Sequence, residues 1–102
     1  MSAVIINENN FNEIKNSEKT VILVFYADWC GPCNMLAPII KEIAEEYSDY
    51  VVGKINVDDQ PELAMEFKIS TIPTLVLMKN GEIVNQSVGV RTKQQILEML
   101  ED

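Results

Sequence analysis

The two cysteines of the chain, Cys30 and Cys33, stand three apart in Trp29-Cys30-Gly31-Pro32-Cys33, between an apolar run at Val21 to Phe25 and a helical pattern. Helical geometry brings residues at this spacing onto one face, near enough for their sulfurs to bond without backbone movement. The chemistry on offer is a disulfide that opens and closes. Pro32 suits the first helical turn, where its missing N–H costs nothing, and Gly31 lets the chain turn tightly beside the sulfur. Cys30 then sits at a helix N-terminus, where unpaired N–H groups and the positive end of the helix dipole favour thiolate over thiol. The competing readings of an isolated C-x-x-C pair are a buried structural disulfide, two inert core thiols, or a metal shared between two chains. Two cysteines and no histidine fall short of a four-ligand zinc site within one chain, so no metal is expected.

The composition bounds the setting. A length of 102 residues fits a single domain, residues 1–102, with a core that needs no disulfide staple. Sixteen Asp and Glu against eight Lys and Arg leave a net charge of −8, and the basic residues do not cluster, which argues against nucleic acid as a partner. Glu42, Glu45, Glu46 and Asp49, and then Asp58, Asp59, Glu62 and Glu66, read as solvated faces without chemistry. Met1 to Asn10 lacks a basic segment followed by an apolar run, and no stretch reaches membrane-spanning length. A cytoplasmic, reducing location with no membrane partner is therefore expected.

The flanking elements must hold the cysteine pair in place. Ala3 to Ile6 reads as a short strand, and Asn9 or Asn10 as the cap of a short helix carrying Phe11 and Ile14 on one side. Val21 to Phe25 is uninterrupted and rich in β-branching, which predicts a mid-sheet strand covered on both faces. After the cysteines, Leu36, Ile39, Ile40, Ile43 and Tyr47 recur at helical spacing opposite Lys41, Glu42, Glu45 and Glu46. This long helix covers the sheet and is expected to kink at Pro38. Val51 to Val57 reads as a strand with Val52, Lys54 and Asn56 on one face and Val51, Ile55 and Val57 on the other. Asp59 or Gln60 followed by Pro61 opens a short helix through Leu63, Ala64 and Phe67 that ends near Lys68. Thr74 to Met78 and Ile83 to Val88 flank Asn80-Gly81, a hairpin signal that predicts an antiparallel pair. Thr92 and Gln95 fit a capping box opening a last helix that buries Ile96, Leu97 and Leu100. The order β-α-β-α-β-α-β-β-α gives an α/β fold, a three-layer α/β/α sandwich around a mixed sheet.

Through Phe25-Tyr26-Ala27-Asp28-Trp29-Cys30-Gly31-Pro32-Cys33, Met35 with Ala37-Pro38, Lys54-Ile55-Asn56-Val57-Asp58, Ile72-Pro73-Thr74, Asn80-Gly81 and Val88-Gly89, the chain resembles the thioredoxin family nearly end to end. The resemblance implies the thioredoxin fold and a protein-disulfide reductase in which Cys30 attacks a substrate disulfide and Cys33 resolves the mixed disulfide. The Cys30–Cys33 bridge is then the redox centre, with no other cofactor. Chemistry asks that the attacking sulfur be accessible and largely thiolate, and that the second stay nearby and less exposed. The resemblance further implies a cis Ile72-Pro73 bond facing the cysteines. The backbone of Ile72 pairs with an extended substrate segment on this reading, and Trp29, Gly31, Pro32, Pro73 and Gly89 complete the contact patch. The implied partners are disulfide-containing proteins and a thioredoxin reductase, and a monomer is expected.

The sequence departs from the family pattern at a position of chemical weight. Thioredoxins usually carry a buried aspartate six residues ahead of the first cysteine, and here Val24 stands there. Valine cannot take the proton that Cys33 must lose before it attacks, a general-base task, so water near Lys54 is expected to serve. Lys54 lacks a buried partner and is expected to reach toward solvent on its flexible stem. Asn34 stands where a basic residue often follows the second cysteine, and Tyr26 where tryptophan is common. Two further readings keep the fold but change the role: an electron carrier dedicated to one terminal reductase, and a redox-independent interaction module.

Overall fold

The computed structural model describes residues 3–101; Met1, Ser2 and Asp102, the ends of the expected 1–102 domain, lie outside the described residues. Its elements in chain order are β1 (Val4–Ile5), α1 (Phe11–Lys15), β2 (Thr20–Tyr26), α2 (Gly31–Glu46), β3 (Tyr50–Asn56), α3 (Pro61–Glu66), β4 (Thr74–Lys79), β5 (Glu82–Val88) and α4 (Lys93–Glu101). This is the order the sequence predicts.

The apolar run of β2 is explained by its place in the middle of a five-stranded sheet, order β1-β3-β2-β4-β5. Alternate β2 side chains feed two cores. Ile22 and Val24 pack with Leu36, Ile40 and Ile43 of α2 and with Ile96 and Leu100 of α4. Val21, Leu23 and Phe25 pack on the other face with Phe11 of α1 and Leu63 of α3. A strand buried on both sides has no use for a polar position, hence the unbroken run. β1, β3 and β2 are parallel, whereas β4 runs antiparallel to β2 and β5 antiparallel to β4. The result is the three-layer α/β/α arrangement around a mixed sheet.

Local chemistry accounts for most element ends. Asn80 and Gly81 both have positive φ, 54° and 81°, the conformation a two-residue hairpin turn needs. Thr92 and Gln95 make both bonds of a capping box: Gln95 N–H donates to Thr92 Oγ1 at 3.1 Å, and Thr92 N–H donates to Gln95 Oε1 at 2.9 Å. The start of α1 departs from expectation. Asn10 occupies the N-cap position without a side-chain cap bond. Its amide instead donates to the Ile5 carbonyl at 2.9 Å and accepts from Asn7 N–H at 2.8 Å, tying the helix entry back to β1. α2 continues through Pro38, which leaves the Asn34 carbonyl without its helical partner. Lys93 bridges Glu42 and Glu46 at 2.7 Å each and so links α4 to α2 across the surface. Lys93 hydrogen-bonding holds the Glu42 carboxyl below its ordinary range. That link is in place at neutral pH and is lost as pH falls through the lowered value.

Gly53 in β3 is fixed by packing. A Cβ there would lie 2.2 Å from Cδ1 and 3.0 Å from Cγ1 of Ile6, which is itself buried. Gly53→Ala is therefore expected to lower stability by roughly 1 to 3 kcal/mol through overpacking, read as a fall in the denaturant midpoint. An unchanged midpoint would show that Ile6 has room to turn aside.

Candidate active site

Cys30 is the N-cap of α2, with extended backbone at φ −85° and ψ 112°, and Cys33 lies in the first turn. The two are joined as a disulfide, their Cα atoms 5.2 Å apart. Cys33 N–H donates to Cys30 Sγ at 3.2 Å, so the free N–H at the start of the helix is aimed at one sulfur and not at the other. Accessibility does not separate them. Both residues are 5 % exposed, where Cys30 was expected to be the open one, because Ala27, Tyr26, Val57 and Ile72 pack around the bridge. Gly31 also differs from expectation. Its φ is not left-handed and nothing lies within 4 Å of where a Cβ would be, so the turn does not require glycine; its bare backbone leaves open space beside the bridge.

The remaining predicted residues converge on the same end of the sheet. The Ile72-Pro73 peptide is cis, and the Ile72 carbonyl oxygen lies 3.9 Å from Cys30 Sγ. Pro73 is buried, and its carbonyl accepts the N–H of Gly89 at 2.8 Å. Gly89 has φ 92°, a left-handed conformation that favours glycine. Among the described residues neither the N–H nor the C=O of Ile72 has a backbone partner. Trp29 is 71 % exposed and Pro32 is exposed beside it. A shallow groove of about 210 Å³ runs from Trp29 and Ile72 over Val57, Ala64, Ile69 and Ser70.

Asp58, read from the sequence as a solvated residue without chemistry, holds Trp29: the indole Nε1–H donates to its carboxylate at 2.8 Å. The signal that could have found it is parallel pairing, because Tyr26 sits opposite Asn56 and the chain leaves both strands at the same end. Asp58 N–H is in turn fixed by Asn56 Oδ1 at 2.9 Å.

Behind the bridge is a second, more enclosed space of about 140 Å³, lined by Val24, Tyr26, Asp28, Cys33, Asn34, Ala37 and Lys54. Val24 is 4 % exposed and is the cross-strand partner of Lys54. Lys54 was expected to reach into solvent. It is half-buried instead, with Nζ 4.7 Å from the centre of the Tyr26 ring, where a cation–π contact holds it. Burial and then the negative charge of Asp28 push the Tyr26 phenol up from its ordinary value. Among the described residues no group of three or more His, Cys, Asp or Glu comes together to hold a metal, and no helix is long and apolar enough to cross a membrane.

The sequence model of the thioredoxin family matches residues 2–102. The chain belongs to the thioredoxin family. It is similar to the thioredoxin of Alicyclobacillus acidocaldarius, 43 % identical over 98 residues that cover 95 % of this chain and 93 % of that protein. It also resembles a bifunctional thioredoxin reductase/thioredoxin of Mycobacterium leprae, 42 % identical over 93 residues covering 90 % of this chain and 20 % of that much longer protein. Among solved structures, a single-residue mutant of a thioredoxin from Halobacterium salinarum superposes with a TM-score of 0.91 at 34 % identity, covering 98 % of this chain and 88 % of that one. Thioredoxins are dithiol–disulfide oxidoreductases, and the chain carries the redox-active disulfide that this activity uses.

Two outcomes follow for this thioredoxin. Val24→Asp is expected to cost roughly 1 to 3 kcal/mol at neutral pH, because the new carboxylate is buried in the α2–α4 core and Lys54 across the strand, held at the Tyr26 ring, offsets its desolvation only in part. Burial raises its folded pKa above the unfolded value of about 3.9, so the loss is small below that value and grows as pH rises through the folded one. Denaturation at two pH values checks this, and a midpoint unchanged or raised at neutral pH counts against it. Asp58→Ala is expected to free the indole, raising the fast motion of Trp29 in time-resolved fluorescence anisotropy while shifting global stability by no more than about 0.5 kcal/mol. An equally rigid Trp29 would mean that packing alone holds the ring.

Proposed function

We propose that Cys30 is the attacking sulfur and Cys33 the resolving one in the reduction of protein disulfides. The observation that carries this order is the Cys33 N–H aimed at Cys30 Sγ at the N-terminus of α2. A hydrogen bond donated to sulfur, added to the helix dipole, favours the thiolate of Cys30 once the bridge is open. Cys30 thiolate then attacks a substrate sulfur, one substrate thiolate departs, and a mixed disulfide remains. Cys33 thiolate attacks Cys30 Sγ, the second substrate sulfur leaves, and the bridge re-forms. Two electrons have passed from the dithiol to the substrate.

The substrate segment lies along Ile72, whose N–H and C=O are free to pair as in strand addition, next to Cys30 Sγ. Gly31 and Pro32 leave the approach clear, Pro73 and Gly89 hold the floor through their 2.8 Å bond, and exposed Trp29 covers the flank. A thioredoxin reductase returns the bridge to the dithiol. The relative that fuses a reductase to a thioredoxin supports this pairing. On this reading residues 1–102 act as one domain and a monomer, in the reducing cytoplasm, with no cofactor besides the Cys30–Cys33 bridge and no nucleic acid, metal or membrane involved.

Cys33→Ser is expected to accumulate a mixed disulfide on Cys30 when the reduced protein meets a disulfide-containing protein, seen as a covalent adduct by mass spectrometry. Cys30→Ser is expected to give neither adduct nor turnover in an insulin-reduction assay. An adduct formed faster on Cys33 of the Cys30→Ser variant would reverse the order, and full biological activity of that variant would favour a redox-independent module.

A further inference from the structure

The loop between β5 and α4 carries a charge that the exchange of the two cysteines does not use. Arg91 is the one arginine of the chain, among eight basic residues against sixteen acidic ones. Its loop is held from three sides. Gly89 N–H is bound by the Pro73 carbonyl at 2.8 Å, Val90 packs against the α2–α4 core, and the Thr92–Gln95 capping box fixes the start of α4. The guanidinium folds back over this anchored backbone: Nη1 donates to the Val90 carbonyl at 3.3 Å and lies 3.8 Å from where a Cβ of Gly89 would stand. The ion pairs found among the described residues are both made by Lys93, and Arg91 makes no other hydrogen bond there, so the rest of its N–H donors are unused. Arg91 is half-buried, which limits the freedom its side chain loses on meeting a partner.

The order of the strands puts this guanidinium beside the lane of the substrate. At the site end of the sheet β2 delivers Cys30, β4 begins after Pro73 and β5 ends before Gly89, in that spatial order, whereas Asp58 follows β3 on the opposite side of β2. Two strand spacings, about 10 Å, separate β2 from β5, and an extended segment advances about 3.3 Å per residue, so a side chain about three residues from the reacting cysteine comes level with Arg91. The two flanks differ in charge. Asp28, Asp58 and Asp59 are exposed on the side of β2 and β3, and Arg91 stands on the side of β5. We propose that Arg91 is a specificity-determining residue: it pairs with a carboxylate of the substrate segment within about three residues of the reacting cysteine, and so selects protein disulfides flanked by Asp or Glu on that side. The guanidinium fork takes a carboxylate through two parallel N–H···O bonds, a geometry that lysine does not offer. A carboxylate on the other side of the cysteine meets the three aspartates, so the preference has a direction. Arg91 takes part in no covalent step, and the contact rests on the reading that the substrate lies along Ile72.

The test uses disulfide-linked peptides that carry a single cysteine in a Gly/Ser background, with a Glu or a Gln placed either before or after it. The reduced protein is mixed with each peptide, and the released peptide thiol is followed by acid quench and chromatography for the unaltered chain, Arg91→Gln and Lys79→Gln. The readout is the ratio of the Glu rate to the Gln rate, from which a general loss of activity cancels. In one of the two placements the unaltered chain is expected to reduce the Glu peptide about threefold to tenfold faster at low salt, and to lose most of that preference at about 1 M salt, where the Debye length is about 3 Å. Arg91→Gln is expected to make the two rates equal. Lys79→Gln removes the same charge at the far end of β4 and is expected to leave the ratio in place. Equal rates for Glu and Gln in both placements, an equal preference in both, a preference that survives in Arg91→Gln, or one lost as fully in Lys79→Gln, overturns the role of Arg91 alone. Trapping the peptide on Cys30 of the Cys33→Ser variant examines the reading beneath it. An Ile72 amide whose hydrogen exchange is not slowed in that adduct overturns docking along Ile72, and the proposal with it.

Discussion

β2 hydrogen-bonds to β3 on one side and β4 on the other, and the opposite directions of those two pairings deliver the whole site to one end of the sheet. The parallel partner leaves the sheet where β2 leaves it, so the turn with Trp29 and Cys30 meets the turn with Asp58. The antiparallel partner enters there, so Pro73 precedes Thr74 opposite Phe25 and lies beside the bridge. β5, antiparallel again, ends at the same level and supplies Gly89 to the Pro73 carbonyl. Such convergence needs β2 to be central, and β2 is central because both of its faces are apolar. The core and the chemistry therefore share one cause.

Within that frame Val24 serves the stability of the core. An aspartate at this depth would carry a desolvation penalty in the middle of the α2–α4 core. Valine carries no such penalty. Lys54 stays opposite and folds back onto Tyr26 instead of extending into water. Tyr26 takes the ammonium over its ring and also lines the cavity, so the departures at positions 24 and 26 both adjoin Lys54.

Most of the fold was legible because the signals that specify it are local. The alternation of β2 neighbours, the Asn80-Gly81 turn and the Thr92–Gln95 box each act within a few residues, and each is realised. Asn10 was misread because a polar side chain at a helix start can bond either forward to its helix or back to the preceding strand, and only the position of β1 decides. Asp58 and Lys54 were misread for a longer-range reason. Charged residues are solvated by default, and what changes that is a partner on another strand, the Trp29 indole in one case and the Tyr26 ring in the other. Gly31 shows the reverse error, since a glycine in a tight motif suggests a backbone requirement where the structure has room for a side chain and no left-handed φ.

The two cysteines are equally buried, and what distinguishes them is the direction of the surrounding dipoles and charges. Cys30 receives the N–H of Cys33 from the helix side, a donor that exists only because Cys30 is the cap and its own helix starts one residue later. Cys33, inside the helix, has its backbone committed and turns its other side to the cavity that contains Lys54. One sulfur is thus addressed by a backbone dipole fixed by the fold and the other by a side chain on a neighbouring strand. The first influence survives any substitution that keeps α2 intact, whereas the second depends on single side chains at 24, 26 and 54. Sequence change can therefore retune the surroundings of Cys33 without disturbing those of Cys30.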